Sequence, residues 1–269
     1  MSSLFVKSWQ ICGSVLLLAA CSHVPEKRSP IEIQAAQMSL SAEAAFARGQ
    51  YSLAKEGYLS AYRADMAVEN IDGMAINLLN LARVSDVMGE YVNTQSYLGA
   101  LLDKPLHVFK PEYLAQAETQ RALLSFRNKD FAATDFWLDH AQANCLASCR
   151  VAGVILNVRA MLALQEKNAA DALRYSREAL DKTKRDFPEE YANALRISAE
   201  AHMLEHHFDV ALPILEEVLA LDKSLGLPRK IQLDLLRLAQ AWEGRGGHEQ
   251  AENLRARAHQ VELSVQRQP

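Results

Sequence analysis

Two imidazoles and a carboxylate fall together in His202-Met203-Leu204-Glu205-His206. The spacing H-x-x-E-H puts two nitrogen ligands four residues apart on one helix face with a carboxylate between them, an arrangement that can hold zinc and activate water for peptide hydrolysis. A working zinc centre also needs a third protein ligand and an open position for water. No acidic helix downstream supplies that ligand, and the segment runs into a bend at His207-Phe208. It therefore reads as an ordinary helix end, with no catalytic residue, metal or other cofactor assigned. A zinc-dependent peptidase using His202, Glu205 and His206 remains only as the alternative.

Cysteine offers a second chemistry. Cys12 lies in an apolar stretch near the start, Cys21 closes that stretch, and Cys145 and Cys149 form an isolated pair. In helical spacing the last two would have Cα atoms roughly 6 Å apart, within bridging range. A disulfide is the natural expectation in an oxidising compartment, with free thiols as the alternative. Two cysteines with no second pair cannot complete a tetrahedral zinc site. So short a bridge would lock a local turn more than it stabilises the fold.

Lys7 precedes an apolar run from Ile11 to Ala20, which ends in Leu18-Ala19-Ala20-Cys21 and is followed by Ser22. A charged start, a short apolar core and a small-residue cleavage site make a secretory signal. The run is shorter than the about 20 residues that a membrane-spanning helix needs. Leu18 to Cys21 resembles the lipobox of bacterial lipoproteins. That resemblance implies cleavage before Cys21 and acylation of its thiol. By the sorting pattern of enteric bacteria, Ser22 then implies the outer membrane, with the chain facing the periplasm. Residues 1–20 are thus expected to be a lipoprotein signal peptide, and residues 21–33 a lipidated cysteine with a flexible tether. About 12 extended residues reach no further than about 40 Å. Without the signal the chain carries 28 basic and 33 acidic residues, a net charge of −5. That balance argues against nucleic acid as a partner, because phosphate binding needs a basic face.

The elements that must position these residues show in a repeat. Ala42, Ala82, Ala122, Ala160, Ala199 and Ala239 recur every 38 to 40 residues. Nine places after each stands Tyr51, Tyr91, Phe131, Ala169, Phe208 or His248, and twelve places after stands Ala54, Thr94, Thr134, Ala172, Ala211 or Ala251. Gly49, Gly89 and Gly246 lie at the bend of three units. A period of this size marks a solenoid of helical hairpins. A small side chain where helix A crosses helix B lets the two backbones approach, and the aromatic fills the space beside the crossing. Pro213 is expected in the first turn of the fifth helix B, where its missing amide proton costs little.

The register resembles the tetratricopeptide repeat. Ala42, Gly49, Tyr51, Ala54, Tyr58 and Ala61 match that pattern's small, turn and aromatic positions. The spacing exceeds the family's usual 34, so extra residues are expected at Val68 to Asp72, Lys104 to Glu112 and Ser224 to Pro228. The resemblance implies an all-α, right-handed superhelical solenoid of about six hairpins over residues 34–262, followed by a polar tail at 263–269. It also implies a concave groove lined by the A helices. Transferred residue by residue, the groove positions include Ile76, Leu79, Arg83 and Asp86, then Gln116, Thr119, Leu123 and Phe126. They continue with Val154, Asn157, Met161 and Leu164, then Asn193, Arg196, Glu200 and Met203.

Arg83, Asn157, Asn193 and Arg196 are the expected peptide contacts, since amides can pair with a ligand's backbone and arginines can hold a carboxylate. The expected partner is another envelope protein or a peptide segment of one, with the membrane reached through the lipid anchor. Such a chain would serve as an adaptor or scaffold in an envelope machine: a pilotin, an accessory factor in outer-membrane assembly, or a scaffold for cell-wall enzymes. A permanent structural subunit of a secretion or pilus complex is the further alternative.

Overall fold

The computed structural model describes residues 28–266 except 104, 147–148 and 184–185. The secretory stretch, Cys21 and most of the tether lie outside the described residues. Those described form twelve helices and no strand. They pair into six hairpins: α1 (Pro30–Ala47) with α2 (Tyr51–Ala67), α3 (Ile71–Val87) with α4 (Tyr91–Leu102), and α5 (Pro111–Arg127) with α6 (Phe131–Asn144). α7 (Ala152–Gln165) with α8 (Ala169–Thr183), α9 (Pro188–Leu204) with α10 (Phe208–Ser224), and α11 (Pro228–Gly244) with α12 (His248–Gln266) complete the stack. This is the expected solenoid. Along it α1 meets α3, α3 meets α5, α5 meets α7 and α7 meets α9, whereas among the described residues the even-numbered helices make no comparable contact with one another. The odd-numbered helices therefore form the inner layer, and their free faces line the concave side.

Helix α1 starts at Pro30, inside the stretch 21–33 expected as a tether. Ser29 is its N-cap: the Ser29 hydroxyl accepts from the Glu32 amide at 3.2 Å, and the Glu32 carboxylate accepts from the Ser29 amide. Pro30 at the first helical position gives up only an amide proton that would have had no helical partner. Proline opens α5, α9 and α11 in the same way. At the other end α12 continues to Gln266, into the stretch expected as a polar tail. Pro213 is a further correction. α10 begins at Phe208, so this proline stands inside the helix in its second turn, where it removes the bond to the Asp209 carbonyl.

The six bends between helices of a hairpin share one construction. Gly49, Gly89, Lys129, Lys167, His206 and Gly246 stand at the same register position, and all have φ between 57° and 92°. Each bend carries a paired set of backbone bonds, as in His207 N to His202 O at 2.8 Å with His206 N to Met203 O at 3.0 Å. That is the Schellman arrangement, which satisfies the last carbonyls of the first helix and demands a left-handed residue after its cap. Glycine meets the demand without strain, whereas a side chain there costs about 1–2 kcal/mol. Lys129→Gly and Lys167→Gly are each expected to stabilise the chain by about 0.5–1 kcal/mol, after discounting glycine's greater freedom in the unfolded state. Urea midpoints of the two variants check this, and an unchanged or lower midpoint in both counts against it.

Packing follows the repeat. The six crossing alanines are at most 2% exposed, and the residues twelve places later are equally closed. In the first hairpin the approach is closer still, for a Cβ built on Gly57 would lie 2.8 Å from the Ala42 methyl. The aromatic positions behave less uniformly than expected. Tyr51 packs edge-on against Phe46 at 5.4 Å and Phe131 tilts against Phe126 at 5.7 Å. Phe208 covers Gly244, where a Cβ would sit 2.3 Å from its ring. Tyr91, by contrast, is half exposed beneath the Arg127 guanidinium, and His248 is exposed.

Two of the three expected insertions are three-residue turns instead, because Glu69 and Gly226 adopt the same left-handed bend between hairpins. The long connections are 103–110, whose Phe109 is buried against α3 and α4, and 145–151.

Candidate functional site

On the concave face α5, α7, α9 and α11 line a common hollow. A cavity of about 430 Å³ opens there. Leu123, Val154, Met161 and Leu164 supply its apolar wall, and Asn157, Glu190, Asn193, Arg196, Glu200 and Arg237 its polar wall. Asn157, Asn193 and Arg196 are thus brought to one site. Arg83 is not among them. Its guanidinium lies on α3 over the Phe46 ring at 4.2 Å, pairs with Glu43, and donates to the Tyr58 hydroxyl at 3.2 Å. It ties the first two hairpins together.

The polar wall is largely committed to itself. Arg196 is 7% exposed. It donates through Nη2 to Asp222 at 2.6 Å, through Nε to Asp234 at 2.8 Å, and through Nη1 to Asn193 at 2.8 Å. The arginine expected to grip a ligand carboxylate instead bridges α9, α10 and α11. Its two acid partners are fully buried. Burial, reinforced by the neighbouring Asp222, raises the Asp234 pKa against the opposing pull of Arg196. Arg237 is likewise occupied by Glu200 at 2.6 Å.

The same three register positions form a second buried network at the first junction. There Ser39 donates to Asn77 Oδ1 at 3.0 Å, and Asn77 donates to Asp65 Oδ2 at 2.8 Å. Gly73 leaves room for that carboxylate, since a Cβ on it would lie 2.4 Å from the Asp65 side chain. Burial is also the main cause of the raised Asp65 pKa. Asp65, Asp222 and Asp234 were not singled out from the sequence. Their signal was an acidic residue or amide at positions that are Pro105, Cys145 and Thr183, or Ala117, Ile155 and Ala194, in the units between.

Asn157 is the exception in the cavity wall. It is 3% exposed, and its amide nitrogen donates to the Glu190 carbonyl at 3.0 Å and to the Glu190 carboxylate at 3.2 Å. Two acceptors fix the amide's orientation and leave Oδ1 buried with no hydrogen-bond partner among the described residues. An unsatisfied buried acceptor costs about 1–3 kcal/mol, so this amide is less completely used by the fold than Arg196 is.

A second concavity of about 400 Å³ lies between α3, α5 and the 145–151 loop. Ile76, Leu79 and Gln116 line it together with Leu146 and Cys149. Cys145 and Cys149 are joined as a disulfide with their Cα atoms 5.1 Å apart, beyond the end of α6 and not within a helix.

The histidine motif is taken apart by the fifth bend. His202 is on α9, whereas His206 is the left-handed bend residue and packs edge-on against Phe208 at 5.8 Å. His206 therefore does not share a face with His202, and the H-x-x-E-H geometry is not formed. His207 takes its place beside His202 and Glu205. Burial, then the neighbouring His207, lowers the His202 pKa.

No family model matches the sequence, and no curated protein matches it. Solved structures do match in fold. BtubC (BKLC) from P. vanneervenii superposes with a TM-score of 0.56 at 19% identity, over 90% of this chain and 94% of that one. The apo form of RapI gives 0.62 at 11% identity, over 87% and 67%. A Rap protein complexed with competence and sporulation factor gives 0.64 at 14% identity, over 86% and 66%. At such identities the likeness is one of fold: this chain is an all-α stack of helical hairpins like theirs.

Proposed function

We propose that this chain is a non-enzymatic adaptor of the bacterial envelope, anchored to the outer membrane through lipidated Cys21. On this reading its concave face captures a segment of a partner protein. The single observation that carries the binding site is the cavity on the concave face, where Asn157, Glu190 and Glu200 share one wall space with Leu123, Met161 and Leu164. It asks for a hydrogen-bond donor beside an apolar side chain, which an extended or helical peptide segment presents. The Cys145–Cys149 bond fits an oxidising compartment. A fold neighbour was solved with competence and sporulation factor bound, which is consistent with ligand capture by such a stack. Anchoring would act by raising the partner's effective concentration at the membrane. The partner could belong to a pilus or secretion channel, an outer-membrane assembly factor or a cell-wall enzyme.

In-cell photo-crosslinking tests this reading. A benzophenone amino acid at Met161, in the cavity, is expected to trap one dominant envelope protein. The same probe at exposed Arg177 on α8 is expected to trap none of it, and Asn157→Leu to cut the Met161 adduct at least fivefold. Equal yields at both positions, or no adduct at Met161, overturn the proposal.

A further inference from the structure

We infer that the fifth bend is a divalent transition-metal site formed by His202, Glu205 and His207. Their ligand atoms lie within 4.8 Å of one another. The site follows from the Schellman bend itself, which brings three register positions together: one on the last turn of the first helix, the cap residue, and the residue after the left-handed one. In the first hairpin these positions are Ala45, Arg48 and Gln50, and Arg48 Nε donates to Gln50 Oε1 at 3.2 Å. In the sixth they are Trp242, Arg245 and Gly247, and a Cβ on Gly247 would lie 2.7 Å from the Trp242 ring. Only the fifth hairpin fills all three with metal-ligating side chains.

The side chains are also free for this use. His207 is the N-cap of α10 but makes no capping bond, unlike Asp130 and Asn168, which at the same position accept from Ala133 and Asp171. It turns back instead, with Nδ1 3.4 Å from the Glu205 carboxylate and its ring centroid 6.2 Å from that of His202. The His202 Nδ1 is buried with no hydrogen-bond partner among the described residues. Two imidazoles and one carboxylate suit Zn²⁺, Cu²⁺ or Ni²⁺, and the exposure of Glu205 and His207 leaves the remaining coordination positions to water. The metal would clamp the bend across its left-handed residue. This inference does not depend on the proposed adaptor role.

The test is Zn²⁺ titration of the untagged chain by calorimetry, with Cu²⁺ electron paramagnetic resonance to count nitrogen ligands. One equivalent of Zn²⁺ and two coordinating nitrogens are expected. His202→Gln and His207→Gln should each weaken binding at least tenfold, whereas His206→Ala should leave it within twofold. Circular dichroism of each variant, matched to wild type, shows that the fold is kept. Failure to take up one equivalent, a loss at His206 as large as at His207, or a loss at only one of His202 and His207 overturns the site.

Discussion

Arg196→Ala is expected to destabilise the chain by about 3–5 kcal/mol, because it leaves Asp222 and Asp234 buried without their cation. The measurement is the urea midpoint, read with the slope held in common. Taking charges out of water is costly, and the Arg196 network repays that cost only while complete. Replacing Arg196, Asp222 and Asp234 together by Met, Leu and Leu is therefore expected to restore most of the lost stability. A loss below about 1 kcal/mol in Arg196→Ala would show that water relieves the two acids, whose Asp222 Oδ1 and Asp234 Oδ2 have no hydrogen-bond partner among the described residues. The pH dependence has a definite sign. A folded-state Asp234 pKa raised above its unfolded value means that the unfolded chain releases the proton first as pH rises. This group's contribution is then fully present below the ordinary carboxylate value of 3.8 and is lost as pH climbs through the folded value of about 6. Because the same arginine lines the cavity, its loss would confound folding with binding. Asn157, which the fold uses less completely, is the cleaner probe.

Arg196 also marks how far the sequence could be read. The crossing alanines and their partners twelve places on announced the hairpins, because only a small side chain permits that backbone approach and six copies in register leave little freedom. The left-handed bend was half legible: glycine revealed it at 49, 89 and 246, while Lys129, Lys167 and His206 adopt it because the flanking helices impose it. That imposed bend also explains why the H-x-x-E-H set does not share one helix face, since a linear helical reading puts His206 where His207 in fact lies. The groove positions were legible as places on a helix face. Whether a polar side chain there faces a ligand or a neighbouring unit was not, because the deciding residues are distant in sequence, 26 and 38 positions away for Arg196. Nor could the residues alone show that the acid-containing networks occupy the junctions of the first and last hairpins. Among the described residues those outer hairpins have a neighbour on one side only, so a polar network there fixes which unit docks and in what register.

The first hairpin supplies the other large effect. Tyr58 is fully buried in a cluster with Ala42, Ala45, Ala54, Leu81 and Val84, which joins α1 and α2 to α3. Its hydroxyl donates to Glu43 and accepts from Arg83, and burial with that acidic neighbour pushes its pKa up to about 12, so it stays protonated. Tyr58→Ala is expected to cost about 3–5 kcal/mol through the cavity it opens. Tyr58→Phe should cost only about 0.5–1.5 kcal/mol, since Glu43 and Arg83 remain paired and water reaches both. With a single neighbouring hairpin among the described residues to hold it, the hairpin carrying the alanine should detach before the rest of the stack unfolds. Hydrogen exchange would then show α1 and α2 losing protection while α5 to α10 keep theirs, and the urea transition would split in two. A single transition, merely shifted, would mean that the stack unfolds as one unit. On the proposed reading the detached hairpin also lengthens the flexible chain between the lipid and the cavity. Partner capture near the membrane should then weaken in Tyr58→Ala although every residue of the cavity is unchanged.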